Sequence, residues 1–265
     1  MLSLFKIIET IKFHNKLVTE DIILATHPKS GTTWFRFILA NIISYIDFNS
    51  DYIIDYEALN GPFRCSYDSK DISKINYKSI PRFFATHRSY SNWRFNKYKS
   101  IYILRNPGDV MISFYHYNNS LKNPYIKCNS LQEFIRDEKV GIKQWCHHVD
   151  TWIQKSNVIL TYEAMKNNTF LEIKNVFKKL NIMVSDDAIQ YAIEKSDFKL
   201  IKNMEKKTGM DKKAQEKHKK GYLFARKGQT DQWKQSLNDD DIEYINSYIK
   251  RTNLSNFGIN YLLIK

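Results

Sequence analysis

The chain has 265 residues, 43% of them hydrophobic, which is enough to form one large domain with a full core. No apolar run approaches the roughly 20 residues of a membrane-spanning helix, which argues against an integral membrane protein. Three cysteines at unpatterned spacings (Cys65, Cys128 and Cys146) and an N-terminus without secretory signal features predict a cytoplasmic protein with reduced thiols. The formal net charge of +13 suits nucleic acid, an anionic membrane surface or a highly anionic small ligand.

Apolar segments of strand length alternate with helical patterns along the chain. Strands are predicted at 22–26, 83–87, 101–104 and 158–162. Helices are predicted at 32–45, 109–117, 131–154, 169–180, 186–198 and 239–250, and Ser130 and Ser185 are predicted N-caps. This alternation predicts an α/β fold, with a single domain over residues 1–265 and a mainly parallel sheet flanked by helices.

The first predicted strand leads into a loop suited to a phosphate-like anion. The loop reads Pro28-Lys29-Ser30-Gly31-Thr32-Thr33-Trp34, and a helical pattern follows it. In a strand–loop–helix arrangement, backbone N–H groups and the helix N-terminus converge on negative charge. Lys29 adds a positive charge, and the neighbouring hydroxyls add hydrogen-bond donors. The stretch is not a Walker A loop, in which the lysine follows the second glycine.

A second anion-binding pattern follows the third predicted strand. It reads Arg105-Asn106-Pro107-Gly108-Asp109, and the helix after it contains Ser113. An arginine in this position can bind a phosphate through two parallel hydrogen bonds. Ligands of parallel sheets bind beyond the carboxyl ends of the strands. Lys29, His87 and Arg105, each at or just after a strand end, are therefore expected along one edge of the sheet.

Much of the positive charge lies between residues 199 and 234. The cations there are Lys206, Lys207, Lys212, Lys213, Lys217, Lys219, Lys220, Arg226, Lys227 and Lys234. We interpret this run either as a solvated, mobile face or as a basic lid that closes over a polyanion. Within it, Arg226-Lys227-Gly228 places two cations beside a glycine, where a phosphate can approach the backbone closely.

Jointly these motifs resemble the cytosolic-type sulfotransferases, which use 3'-phosphoadenosine 5'-phosphosulfate (PAPS) and release adenosine 3',5'-bisphosphate (PAP). Residues 28–34 match the family's phosphosulfate loop, residues 104–113 its 3'-phosphate strand–loop–helix, and residues 226–228 its C-terminal cofactor clasp. Two further stretches resemble motifs of this family: the helix with Trp and His at 145–152, and Tyr-Glu-Ala-Met at 162–165. Order and spacing match from about residue 22 to residue 250, which implies the family's fold, similar to that of P-loop NTPases.

The resemblance implies a PAPS-dependent enzyme with a defined set of site residues. His87 would act as the catalytic base, Lys29 would stabilise the departing phosphate oxygen, and Ser113 would hold Lys29 back until the acceptor arrives. The implied PAPS-binding residues are Lys29, Ser30, Gly31, Thr32, Thr33, Trp34, Arg105, Ser113, Tyr162, Phe198, Arg226, Lys227 and Gly228. Trp34 and Phe198 would flank the adenine, although Phe198 can equally be a core aromatic of the preceding helix. No metal is expected, because a sulfuryl group carries less charge than a phosphoryl group.

The chain departs from the family pattern at three places. Ala85 stands where the family usually has a lysine before Thr-His, and Asp231 stands where glycine is usual after the clasp. Asn238 and Asp239 replace the Thr-Val core of the family's small dimer motif. These departures leave the geometry of the loop around Asp231 open and predict a monomer or a weak homodimer.

The segment from residue 52 to residue 90 is expected to supply much of the acceptor site. The residues considered there are Asp55, Tyr56, Glu57, Phe63, Arg64, Tyr67, Asp68 and Asp71. This polar and acidic set favours a compact, cationic acceptor, and the hypothesis is a guanidinium-type alkaloid modified on a hydroxyl or a carbamate nitrogen. The setting would be microbial secondary metabolism. The alternative is an ordinary exposed loop.

Other functions compete with this hypothesis. A phenolic or carbohydrate acceptor stays open. A nucleic-acid- or heparin-binding protein would explain the net charge but not three anion-binding loops, two of them at strand ends. A nucleotide kinase would need the Walker lysine, which is absent. The expected partner is therefore a small-molecule acceptor, without nucleic acid or membrane.

Overall fold

The computed structural model describes residues 13–50, 52–60, 63, 75 and 77–264. Four parallel strands form the central sheet, in the order β2-β1-β3-β4. The strands are β1 Ile22–Thr26, β2 Phe83–Thr86, β3 Lys99–Leu104 and β4 Val158–Thr161. The predicted parallel sheet is confirmed, and each predicted strand matches an observed one to within two residues.

The described helices surround this sheet. They are α1 Thr32–Phe48, α2 Asn92–Phe95, α3 Pro107–Ser120, α4 Leu131–Arg136, α5 Ile142–Ile153, α6 Tyr162–Asn167, α7 Thr169–Leu180, α8 Asp186–Lys195, α9 Phe198–Thr208, α10 Lys212–Lys217, α11 Trp233–Ser236 and α12 Asp239–Ile249. Short 3₁₀ helices lie at Ala58–Asn60 and Asn253–Phe257. In the part of the chain that is described, no helix is long and apolar enough to cross a membrane.

Successive side chains of the strands enter two separate cores, one on each face of the sheet. In β1, Ile22 and Leu24 pack with α1, α7 and α8, whereas Ile23 and Ala25 pack with α3, α5 and α12. Side chains in a strand alternate between faces, so a strand covered on both faces is apolar throughout. This explains the apolar runs at 22–25 in β1 and 101–104 in β3.

The predicted helix at 131–154 is wrong, because a turn divides it into α4 and α5. Ser130 caps α4 as expected by accepting a hydrogen bond from the Glu133 N–H at 3.2 Å. The helix then stops because the Asp137 carboxylate accepts from the N–H groups of Lys139 and Val140, at 2.7 and 3.1 Å. A side chain that binds the backbone in this way replaces the helical hydrogen bonds.

The predicted helix at 186–198 is also too long. Its Ser185 cap is confirmed, but the helix ends at Lys195. Asp197 then caps α9 by accepting from the N–H groups of Lys199 and Leu200. Phe198 is therefore the first residue of α9 and does not belong to α8. The fourth strand likewise stops before Tyr162, since Thr161 caps α6.

The topology brings two loops to one crevice. The chain passes from β1 to β2 on one side of β1 and then crosses to β3 on its other side. Because the helices that follow β1 and β3 lie on opposite faces of the sheet, the carboxyl ends of these two strands border a cleft. The loops that contain Lys29 and Arg105 meet there.

Candidate active site

The loop after β1 has a backbone that needs glycine. Gly31 has φ +108°, and a Cβ built on it would lie 2.7 Å from the ring of Tyr162. Gly31 is also the N-cap of α1, whose first turn contains no acidic residue. The partial positive charge at this helix N-terminus is thus left available for an anion. The adjacent Lys29 has φ 71° and, although not glycine, also lies in the left-handed region.

Arg105 joins the loop after β1 to the loop before α11. Its guanidinium donates to the Lys29 carbonyl oxygen at 3.1 Å and to the Gln229 carbonyl oxygen at 2.8 Å. The guanidinium carbon lies 4.3 Å from the centroid of the Tyr162 ring. The Nε–H of Arg105 is buried and has no hydrogen-bond partner among the described residues. Arg105 therefore holds the site together and keeps a donor for a ligand.

These loops line a cavity of about 410 Å³. All but one of the residues predicted for the site line it: Lys29, Gly31, Thr32, Thr33, Trp34, His87, Arg105, Ser113, Tyr162, Phe198, Arg226, Lys227 and Gly228. The exception is Ser30, which lies behind the cavity wall, 1% exposed. Its hydroxyl is buried and has no hydrogen-bond partner within the described part of the chain.

His87 faces this cavity from the end of β2. Its Nδ1 lies 2.8 Å from the carbonyl oxygen of Thr26 and 3.0 Å from the Thr26 hydroxyl. A carbonyl oxygen can only accept, so Nδ1 carries the proton and Nε2 is left as the acceptor in the neutral ring. The His87 ring is exposed to the cavity, and desolvation by the surrounding protein lowers its pKa, with the charges of Lys29 and Arg36 lowering it further against the opposing effect of the Thr26 bond. The ring is thus held neutral, as a base requires.

The Lys29 ammonium lies in an aromatic pocket. Its Nζ lies 4.8 Å from the ring centroid of Tyr117, 5.4 Å from that of Phe224, and 3.5 Å from the Tyr222 hydroxyl oxygen. Burial lowers its pKa to about 8, with further lowering by the cations Arg105 and Arg226. The partner of Lys29 is therefore Tyr222, and the expected contact with Ser113 is not made.

Trp34 and Phe198 both border the cavity. The Trp34 indole N–H donates to the Ser196 carbonyl oxygen at 3.1 Å, and its ring meets that of Tyr162 edge-on at 5.8 Å. The Phe198 ring packs against Gly228, where a Cβ would lie 2.6 Å from the ring. Gly228 has φ +63°, so both its conformation and its close contact require glycine. Both aromatic rings therefore belong to the lining of the cavity.

The C-terminal loop has an ordered geometry in spite of Asp231. Asp231 has φ 59°, the left-handed conformation for which glycine is the usual residue. The buried Asp109 carboxylate accepts from the N–H groups of Asp231 and Trp233, at 2.9 and 3.2 Å. Most lysines of the basic run point to solvent: Lys206, Lys207, Lys212, Lys217, Lys219 and Lys220 are exposed. Of the basic run, Arg226 and Lys227 line the cavity. The exposure of the other lysines supports the interpretation of a solvated face.

Sequence reasoning missed most of the aromatic wall of this cavity. Among the described residues this wall consists of Phe37, Tyr56, Phe114, Tyr117, Tyr125 and Phe224, of which only Tyr56 was considered. Asp55 binds the Ala58 N–H and Glu57 is exposed, and neither lines the cavity. Phe63 is buried in the core. Arg64, Tyr67, Asp68 and Asp71 lie outside the described residues.

A model of the sulfotransferase domain matches residues 19–258. The amine sulfotransferase of Oryctolagus cuniculus is 27% identical over 238 residues, which cover 84% of this chain and 77% of that protein. Sulfotransferase 1E1 of Bos taurus is 28% identical over 248 residues, covering 84% of this chain and 81% of that protein.

Solved structures share the fold. Mouse sulfotransferase SULT7A1 complexed with PAP superposes with a TM-score of 0.66 at 20% identity, covering 94% of this chain and 90% of that one. Retinol dehydratase in complex with androsterone and PAP gives a TM-score of 0.68 at 19% identity, covering 94% and 86%. Because the family model matches residues 19–258, nearly the whole chain, the chain belongs to the sulfotransferase family of transferase enzymes.

Proposed function

We propose that the protein transfers the sulfuryl group of PAPS to a small acceptor, with His87 as the base. The acceptor oxygen or nitrogen attacks sulfur in line with the bridging oxygen of the phosphosulfate. The new bond to sulfur forms as the bond to the bridging oxygen breaks, and PAP leaves with that electron pair. The acceptor proton goes to His87 Nε2, and the Lys29 ammonium stabilises the charge that develops on the leaving oxygen.

The observation that carries this proposal is the orientation of His87. A neutral imidazole with Nε2 free opens into the same cavity as the Lys29 ammonium and the Arg105 guanidinium. The residues also fit a doubly anionic nucleotide, because the Arg105 Nε–H is without a partner among the described residues and the cations Arg226 and Lys227 line the same cavity. We assign the 5'-phosphosulfate to the loop after β1, and the 3'-phosphate to Arg105, Ser113 and the segment 226–228.

The aromatic wall supports a flat acceptor. Tyr56, Phe114 and Tyr117 contribute aromatic rings to the lining of the cavity, and Asp197 is the only acidic residue in its described lining. A second candidate is the guanidinium-type alkaloid, because the Tyr117 and Phe224 rings of this wall already hold the ammonium of Lys29. We place the phenol first, since a cationic acceptor would lie close to the Lys29 ammonium, and the nearby Glu205 carboxylate is already bonded to Tyr56 and to the backbone.

We further propose one domain over residues 1–265, in a reducing compartment, as a monomer or weak homodimer. The domain assignment is supported by the single described sheet and the family match to 19–258. Free thiols at Cys128 and Cys146 are compatible with reducing conditions, and Cys65 lies outside the described residues. Asn238 caps α12 by accepting from the Asp241 N–H, so the altered dimer motif serves a local structural role.

Labelled PAPS tests the reaction and the acceptor together. Incubation with a panel of phenols, hydroxylated guanidinium compounds and sugars should transfer label to the phenols most rapidly. The His87→Ala variant should lose most of the turnover, whereas exposed His147→Ala should keep it. A purified, folded His87→Ala variant with near-normal kcat would remove His87 from the mechanism, and label only on guanidinium compounds would reverse the order of the candidates.

A further inference from the structure

Helix α9 holds the segment 224–228 through one of its faces. The contacts come from Phe198, Lys202 and Glu205, at positions i, i+4 and i+7, which share a face of a helix. Lys202 Nζ donates to the Arg226 carbonyl oxygen at 3.0 Å. Phe198 packs against Gly228. The helix therefore contacts the segment at both of its ends and in its middle.

Of these three residues, Glu205 makes the most hydrogen bonds. One carboxylate oxygen accepts from the Phe224 N–H at 2.6 Å, and the other accepts from the Ala225 N–H at 2.9 Å and the Tyr56 hydroxyl at 3.4 Å. The residue is 1% exposed and does not line the cavity. A carboxylate buried this deeply costs free energy unless it is well bonded. Two of its hydrogen bonds bind the backbone directly before Arg226.

The charge of Glu205 also acts on the site. Burial and the cations Arg105 and Arg226 lower the pKa of Lys29, and the negative charge of Glu205 opposes that lowering. Glu205 thus lies close enough to influence the lysine although it contacts neither Lys29 nor the cavity. Its effect on any ligand has to pass through the groups that it holds or polarises.

We propose that Glu205 is a positioning residue for the nucleotide, which fixes the segment that presents Arg226, Lys227 and Gly228 to the 3'-phosphate. The inference rests on the proposed function, since it assumes that PAPS occupies this cavity. It assigns a role in binding to a side chain that the nucleotide never touches. It also links the clasp to the acceptor side, because Tyr56 in the aromatic wall shares the carboxylate.

Glu205→Gln tests the inference with little change of shape. The new amide NH₂ would face a backbone N–H, so one of the two hydrogen bonds to the segment is replaced by a clash of donors. In calorimetric titrations we expect the Kd for PAP to rise about 10- to 100-fold, and the Kd for AMP, which lacks the 3'-phosphate, to change less than about twofold. Exposed Glu216→Gln changes the net charge equally and serves as the control.

A second variant and a second readout separate positioning from general loss of structure. Lys202→Met removes the bond to the Arg226 carbonyl without touching Glu205, and it should weaken PAP binding in the same selective way. In Glu205→Gln the alkaline limb of the kcat/KM profile should also move to lower pH, because the charge that supports protonated Lys29 is lost.

The outcomes are distinguishable. If the wild-type protein binds PAP no more tightly than AMP, the proposed function fails. If the wild type prefers PAP, and both Glu205→Gln and Lys202→Met keep that preference, the inference about Glu205 is overturned while the function stands. Equal weakening of PAP and AMP binding in both variants would also overturn it, because that pattern indicates a general structural defect.

Discussion

His87 shows how far a sequence can predict a single side chain. Its place just beyond β2 follows from the apolar run before it, so its position at the edge of the sheet was predictable. Which ring nitrogen is free was not, because the Thr26 carbonyl that decides it lies 61 residues earlier in the chain. That contact exists only because β1 pairs with β2. The same holds for Lys29, whose partner Tyr222 is 193 residues away.

The pH dependence of kcat/KM follows from these two residues. Since the pKa of His87 is lowered, the ring stays neutral as the pH falls through the usual histidine value of about 6.5, and activity should be lost only below it. On the alkaline side, activity should be lost as the pH rises through about 8, where Lys29 gives up its proton. A profile of kcat/KM from acid to alkaline pH measures both limbs.

Two variants test which residue causes the loss of activity at acid pH and which causes it at alkaline pH. His87→Ala should remove the acid limb along with most of the turnover. Lys29→Arg should shift the alkaline loss of activity to much higher pH, since a guanidinium keeps its proton up to a pH of about 12. An acid limb above the usual histidine pKa, or an alkaline limb unchanged in Lys29→Arg, would contradict the assignment.

At the scale of elements, prediction succeeded where the signal is local and failed where a side chain interrupts a pattern. The strand, loop and helix from Ile22 to Phe48 were predictable from an apolar run, a glycine-containing loop and a helical pattern. The break between α4 and α5 was not, because the charged residues of the turn resemble the exposed face of a helix. Only the hydrogen bonds of the Asp137 carboxylate distinguish the two.

Gly31→Ala should disrupt the strand–loop–helix after β1. The change forces a residue with a side chain to φ +108° and places its Cβ 2.7 Å from the Tyr162 ring. Strain of this kind costs about 1–3 kcal/mol, and displacement of Tyr162 should weaken PAP binding as well. Urea unfolding and a PAP titration measure the two effects. Gly221→Ala is the matched control, since Gly221 has φ +85° with nothing within 4 Å of the added Cβ. Equal losses of stability in the two variants would show that contact with Tyr162 is unimportant.

At the scale of the whole molecule, the sheet and its occupied edge were predictable but the acceptor side was not. The aromatic wall draws on α1, α3 and three separate loops, and the motifs found on these segments indicate anion binding without marking the aromatic residues of the wall. Burial of several histidines is another property that appears only in the assembled fold. His27 and His148 are each 4% exposed, and their rings meet edge-on with centroids 5.6 Å apart.

We expect the stability of the protein to fall steeply on mild acidification. Burial lowers the pKa of His27 to about 3 and that of His148 well below its ordinary value. Below pH of about 6.5 the unfolded chain therefore binds protons that the folded protein does not, and the free energy of unfolding decreases as the pH falls. Each such histidine contributes about 1.4 kcal/mol per pH unit. Urea unfolding at a series of pH values measures the slope.

Replacing one buried histidine should reduce the slope of the unfolding free energy against pH by about 1.4 kcal/mol per pH unit, which corresponds to one proton. His27→Phe keeps a ring against Phe114 and His148 but removes the titrating group. His147→Phe, at an exposed position, should leave the slope close to that of the wild type. Identical slopes for all three proteins would mean that His27 is protonated in the folded state.

The bridge made by Arg105 has a consequence for protein engineering. One guanidinium binds both the carbonyl of Lys29 and that of Gln229, so the loop after β1 and the loop before α11 are held together by a single side chain. A chimera that imports either loop alone from another family member would inherit a clamp fitted to the wrong partner. Exchanging both loops together with the arginine between them keeps the clamp and its partners matched.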